Sequence, residues 1–180
     1  MSYAIVYSSR TGNTERLARA ALEALGAEGC SYFGAPGPDA SAAASAADLV
    51  LLGSWTDKGG LDPALDPVLP SLPGHSVFLF GTCGFGGDPA YFDRVLDNFS
   101  AALPDGTKVI GRYLCQGQMP PSVRERYVSM SERDPDRFAP MIENFDRAVG
   151  HPDEADLEGL VRALRDALPD DEGARHSGRP

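Results

Sequence analysis

Residues 8–14 read SSRTGNT, preceded by the apolar run YAIVY (residues 3–7) and followed by ERLARAALEAL (residues 15–25), whose apolar positions recur at helical spacing. A strand that runs into a glycine-containing turn and then a helix start aims backbone N–H groups and the positive end of the helix dipole at one point. One capping oxygen satisfies such a start, and Asn13 or Thr14 supplies it here, so the hydroxyls of Ser8, Ser9 and Thr11 are surplus. Carboxylates cap equally well, yet none occurs before Glu15 in a chain of net charge -10. This turn therefore reads as a site for an anion, and a phosphate suits it.

The 180 residues suffice for one domain whose core needs neither disulfides nor metal. With 16 Lys plus Arg against 26 Asp plus Glu, the charge disfavours nucleic acid and anionic membranes and favours a partner with a basic docking surface. Cys30, Cys83 and Cys115 form no close pair, which argues against a disulfide framework and for a reducing cytoplasm. The start MSYAIVYSS has neither a basic leader nor a long apolar stretch, and no later run approaches the ~18 apolar residues of a membrane span. The expectation is a cytoplasmic protein.

Apolar runs predict strands at Tyr3–Tyr7, Leu49–Gly53, Val77–Gly81 and Val109–Leu114, with a shorter one at Cys30–Phe33. Helices are predicted at Thr14–Leu25, Ser41–Ala47, Asp62–Leu72 and Tyr91–Leu103. Pro63, Pro67 and Pro70 interrupt the third of these. Continuous rather than alternating apolar runs indicate strands covered on both faces. Together with the intervening helices they predict an α/β protein, a doubly wound five-stranded parallel sheet in three α/β/α layers. The domain is expected to span residues 1–168. Residues 115–150 are long for a connection and are expected to hold two extra helices, Ser122–Met130 and Pro135–Val149, before a last helix at Glu154–Leu168. The polar end PDDEGARHSGRP predicts a disordered tail over residues 169–180.

In a doubly wound sheet, ligands bind at the carboxyl ends of the strands, where the winding reverses. Three stretches follow such ends: SSRTGNT, SWTDKGG (residues 54–60) and TCGFGGDP (residues 82–89). Each contains glycine, and the second and third carry the aromatics Trp55 and Phe85. A flat ligand bearing a phosphate accounts for all three.

Ser9, Thr11, Gly12 and Thr14 meet the pattern [ST]-x-[ST]-G-x-T, placed between strand and helix, and in this the chain resembles the flavodoxin family from about Tyr3 to Leu114. The resemblance implies FMN. It also implies that Ser8, Ser9, Thr11, Gly12, Asn13 and Thr14 surround the phosphate, with Arg10 either facing solvent or neutralising part of the dianion. Trp55 would stack on one face of the ring, flanked by Ser54, Thr56, Asp57, Lys58 and Gly59. The flexible peptide at Gly59-Gly60 would meet flavin N5 when it is protonated. Thr82, Cys83, Gly84, Phe85 and Gly86 would approach the pyrimidine end, with Phe85 on the second face and Cys83 a small loop residue rather than a nucleophile. The segment YLCQGQMPPSVRERYVSM (residues 113–130) resembles the one after the fifth strand in a subgroup of flavodoxin-like proteins associated with bilirubin reductase. There it would either pad the sheet or act, through Met119 and Tyr127, in docking a partner or covering the flavin.

Other phosphate-binding readings fail on residues. GxxxxGK[ST] is absent, GTCGFGG does not meet G-x-G-x-x-G, no Asp ends the third strand as in receiver domains, and the first turn lacks the cysteine of small tyrosine phosphatases. His75, His151 and His176 show no metal-ligand spacing. The expectation is thus an FMN-binding, low-potential electron carrier serving a redox partner protein. The alternatives are an NAD(P)H-dependent flavin or quinone reductase on the same fold and a flavin-free interaction module.

Overall fold

Tyr3 and Ile5 face one side of the first strand and Ala4 and Val6 the other, and all four are buried. A strand with two apolar faces needs a helical layer on each, and the computed structural model, which describes residues 1–168, supplies both. The elements run β1 (Tyr3–Ser8), α1 (Asn13–Leu25), β2 (Cys30–Gly34), α2 (Pro38–Ala46), β3 (Leu49–Trp55), β4 (Ser76–Cys83), α3 (Pro89–Ala101), β5 (Lys108–Gln116), α4 (Pro121–Ser131), α5 (Pro135–Ala148) and α6 (Glu154–Ala167). The five strands form one sheet in the order β2-β1-β3-β4-β5, and every pairing is parallel. On one face α2 and α3 cover Ala4, Val6, Val50, Leu52, Val77 and Leu79; on the other, α1 and α6 cover Tyr3, Ile5, Leu49, Leu51, Phe78 and Phe80. The expected three-layer α/β fold is the one observed.

Two expectations need correction. The helix predicted over Asp62–Leu72 is two short 3₁₀ turns, Pro63–Leu65 and Leu69–Ser71. Pro67 and Pro70 lack the N–H that a continuous helix would require, while Leu65, Val68 and Leu72 still reach the core. The strands also run further than their apolar stretches. β1 extends to Ser8, β3 to Trp55 and β4 to Cys83, so Ser8, Ser54, Trp55, Thr82 and Cys83 are strand residues rather than loop residues. Pairing in a ladder is a backbone matter and continues through Ser8↔Ser54 and Trp55↔Thr82 in spite of side-chain polarity.

The order places the switch in winding between β1 and β3, which the register Ser8↔Ser54 locks side by side. The segment after β5 forms the two expected helices, α4 and α5, packed on one another through Tyr127 and Phe138 with ring centroids 6.2 Å apart. The tail predicted as disordered, residues 169–180, lies outside the described residues.

Candidate functional site

The first turn starts α1 without the cap expected of Asn13 or Thr14. Gly12 occupies the cap position in the left-handed region at φ 86°, and no side chain bonds the first turn from there. Thr14 is buried and its Oγ1 lies 3.1 Å from Thr82 Oγ1, while Asn13 Nδ2 donates to the Gln118 carbonyl at 2.9 Å. Ser9 Oγ accepts from the Glu15 N–H at 3.3 Å. Both side chains lie inside the helix, past the cap position at Gly12, and turn to β4 and to the segment after β5. The helix dipole is left facing a turn whose Arg10, Thr11 and Gly12 are exposed, and a side chain built on Gly12 would meet no atom within 4 Å.

Asp62, which the sequence reading used only to begin a helix, proves to be the junction of the first two loops. Its Oδ2 accepts from Trp55 Nε1 at 2.7 Å and from the Ser8 hydroxyl, its Oδ1 from the Ala64 N–H at 3.2 Å, and its own N–H donates to Ser54 Oγ at 2.9 Å. Burial pushes the Asp62 carboxyl up; the hydrogen bonds from Ser8, Ala64 and Trp55, with Arg10 nearby, outweigh it and hold the group below the ordinary carboxylate range. Trp55, the chain's single tryptophan, is thereby fixed in orientation, with the Arg10 guanidinium 5.5 Å from its ring centroid. Thr56 ties the second strand end to the third, its N–H and Oγ1 both donating to the Thr82 carbonyl, at 2.9 and 3.0 Å.

Asp57 to Gly60 form a tight turn, closed by Asp57 N–H to Gly60 carbonyl at 3.0 Å and the reverse bond at 2.8 Å. Lys58 (φ 50°) and Gly59 (φ 87°) both lie in the left-handed region, as a type I′ turn demands. The flexible peptide was expected at Gly59-Gly60, but that peptide is tied at both ends: Asn98 Nδ2 donates to the Gly59 carbonyl at 2.9 Å and the Gly60 N–H is bonded within the turn. The peptide with neither end bonded among the described residues is Lys58-Gly59, at the tip.

At the end of β4 Thr82 is buried against Thr14, and in the loop that follows Phe85 stands 39% exposed. Cys83, expected beside the flavin, ends β4 within the cluster under α2 and α3; its Sγ donates to the Phe85 carbonyl at 2.9 Å and burial pushes the thiol up to about 12. Burial thus disfavours the thiolate that a nucleophile needs. Gly84 and Gly86 are bonded by Asn144 of α5, and Met119 packs where a side chain on Gly84 would stand, its Sδ 2.7 Å from that position. Tyr127, one of two residues through which the extra segment was expected to act at the surface, is buried inside the α4–α5 pair.

Two features lie apart from this site. His151 Nδ1 is 2.6 Å from Asp156 Oδ2, and with Asp153 these ligand atoms all fall within 4.8 Å. Spacing between histidines alone did not show that cluster; it is explained by the reciprocal capping of α6 by Asp153 and Asp156. An open groove of about 690 Å³ is lined by α1 and α6 residues such as Ala20, Glu23, Leu157 and Arg162, and by none of the three strand-end loops.

A family model described as a flavodoxin domain matches residues 4–165. The chain belongs to the flavodoxin family. Flavodoxin-like domain-containing protein BilS of Clostridium symbiosum (strain WAL-14163) is 41% identical to it over 184 residues, which cover 94% of this chain and 97% of that one. BilS of Clostridioides difficile (strain CD3) is 26% identical over 159 residues, covering 87% and 90%. Among solved structures, oxidised Flavodoxin 1 from Bacillus cereus aligns with TM-score 0.52 at 14% identity over 93% of this chain and 97% of that one. That likeness shows the fold alone.

FMN is the cofactor of this flavodoxin, and the residues present fit it. The helix start with Gly12 at its cap position and the open space there suit a phosphate. Trp55, held by Asp62, and the exposed ring of Phe85 suit a flat aromatic. Among the described residues no helix is long and apolar enough to cross a membrane.

Proposed function

We propose that this flavodoxin is a low-potential electron donor to a reductase partner with a basic docking surface, and that the electrons serve reduction of a tetrapyrrole, bilirubin. FMN supplies the chemistry, accepting and releasing electrons singly or in pairs. The chain's residues bind and tune it. Ser9 and Thr11 with the α1 N–H groups hold the phosphate, Trp55 is kept upright by Asp62, and the net charge of -10 opposes further negative charge on the ring, which lowers its potential. The observation that carries the carrier reading is the convergence of that helix start with Trp55 and Phe85 at three strand ends in a chain matching a flavodoxin model over residues 4–165. Kinship with proteins named BilS, and the resemblance of residues 113–130 to the subgroup associated with bilirubin reductase, support the acceptor.

The test is stopped-flow electron transfer from the reduced, FMN-loaded protein to a bilirubin reductase across ionic strength. Opposite-charge docking slows as the screening length falls from ~30 Å to ~8 Å between 0.01 and 0.15 M salt. On this reading the protein alone should oxidise NAD(P)H negligibly. Brisk steady-state NAD(P)H oxidation without a partner would instead establish the reductase alternative, and transfer indifferent to salt would remove the basic partner.

A further inference from the structure

We propose that Asn144, carried by α5, is a positioning residue for the flavin loop at Gly84–Gly86, which makes the α4–α5 pair a working part of the cofactor site. The inference rests on FMN as the ligand of that loop. Asn144 is 4% exposed, and its carboxamide is used at both ends: Nδ2 donates to the Gly84 carbonyl at 2.9 Å, and Oδ1 accepts from the Gly86 N–H at 3.1 Å. Gln116, the last residue of β5, reinforces the first of these points and braces Asn144 itself. Its Nε2 donates to the Gly84 carbonyl and to Asn144 Oδ1, each at 3.2 Å.

The glycines are what allow this approach. A side chain on Gly86 would overlap the Gln116 carboxamide, and one on Gly84 would stand 2.7 Å from Met119 Sδ. So the loop is clamped from behind by three residues that follow the last apolar strand signal in the chain, and its remaining edge, with the Phe85 ring, is left free. The same connection reaches the phosphate turn, since the Gln118 carbonyl accepts from Asn13 Nδ2 at 2.9 Å and the Gln118 N–H donates to the His151 carbonyl at 2.8 Å. Padding of a sheet would need neither a buried carboxamide bonded through both its nitrogen and its oxygen nor bonds to two cofactor loops.

Asn144→Leu removes both bonds with little change in volume, and Asn144→Asp keeps the acceptor for Gly86 but loses the donor to Gly84. FMN affinity is expected to fall about tenfold in the leucine variant, since one unsatisfied buried partner is worth about that factor, and at least as much in the aspartate variant, whose buried carboxylate would face the Gly84 carbonyl. Riboflavin should weaken by the same factor as FMN, because the clamp acts at the ring and not at the phosphate, and the visible flavin spectrum should shift. A change in the FMN-to-riboflavin ratio would place the effect at the phosphate, and loss of both affinities in step with a lowered melting temperature would place it in the whole fold; either outcome overturns the positioning role. So does wild-type affinity and spectrum in both variants. Hydrogen exchange of the Gly86 amide in the apoprotein reads the clamp without flavin: it should be protected in the wild type and exposed in Asn144→Leu, and equal protection refutes the clamp. Should the wild type bind no FMN, the cofactor assignment falls, while the exchange measurement still decides the clamp.

Discussion

Truncating Asp62 should release Trp55 and loosen the first loop together. In Asp62→Ala the indole Nε1–H and the Ser8 hydroxyl lose their shared acceptor, and the Ala64 N–H loses its cap. Bonds to a charged acceptor are worth about 1.5–3 kcal/mol each when buried, but Asp62 is only half-buried, and water replaces part of what is lost. The net cost is about 2–3 kcal/mol, which at about 2–4 °C per kcal/mol for a chain of this size lowers the melting temperature by about 5–10 °C. Freeing one large side chain costs binding about 0.5–1.5 kcal/mol of ordering, so FMN affinity should fall about two- to tenfold. Trp55 is the chain's single tryptophan, so its fluorescence reports on this site alone: the apoprotein's emission should move to longer wavelength in the variant, and FMN should quench it in the wild type. Because folding holds the Asp62 carboxyl below its ordinary value of 3.8, its stabilisation is complete above that pH and is lost as pH falls through the lower folded value. The gap in stability between wild type and Asp62→Asn should therefore shrink only in acid. An unchanged emission and melting temperature in Asp62→Ala would refute the junction. A loss of FMN affinity far exceeding that of riboflavin would move its action from Trp55 to the phosphate turn.

The double variant Ser9→Ala, Thr11→Ala should weaken FMN at least tenfold and riboflavin little, measured by fluorescence titration, because only FMN carries the phosphate; equal losses would remove the anion assignment. Thr14 is the poorer choice for that test, since it is buried against Thr82 and its loss costs stability as well. Gly53→Ala should destabilise by about 1–3 kcal/mol in urea unfolding, as the added methyl would overlap the fully buried Phe80 ring across the β3–β4 pair.

By itself the sequence determined the layers. Short apolar runs without alternation, set between helices, read as strands covered on both faces, and the helices between them make the sheet parallel, because a crossover is the way to bring the next strand back in the same direction. It also determined the turn that suits a phosphate, since a strand, a glycine and a helix start are adjacent in the chain and their chemistry is local. Tertiary structure decided whatever depends on which distant groups compete for the same atoms. Thr14 and Asn13 read as caps in the sequence, but the cap position falls to Gly12, and the two side chains meet Thr82 and Gln118 instead. Asp62 follows Trp55 by seven residues with no periodic signal, and only the paired ends of β1 and β3 bring Ser8 and Trp55 to one carboxylate. Asn144 lies far beyond the last strand, on a helix whose apolar pattern explains Phe138 and Phe145 but says nothing of a polar residue buried among them. A pattern of hydrophobicity records what must leave water; a buried polar group is placed by its partner, and the partner's position exists only once the chain has folded.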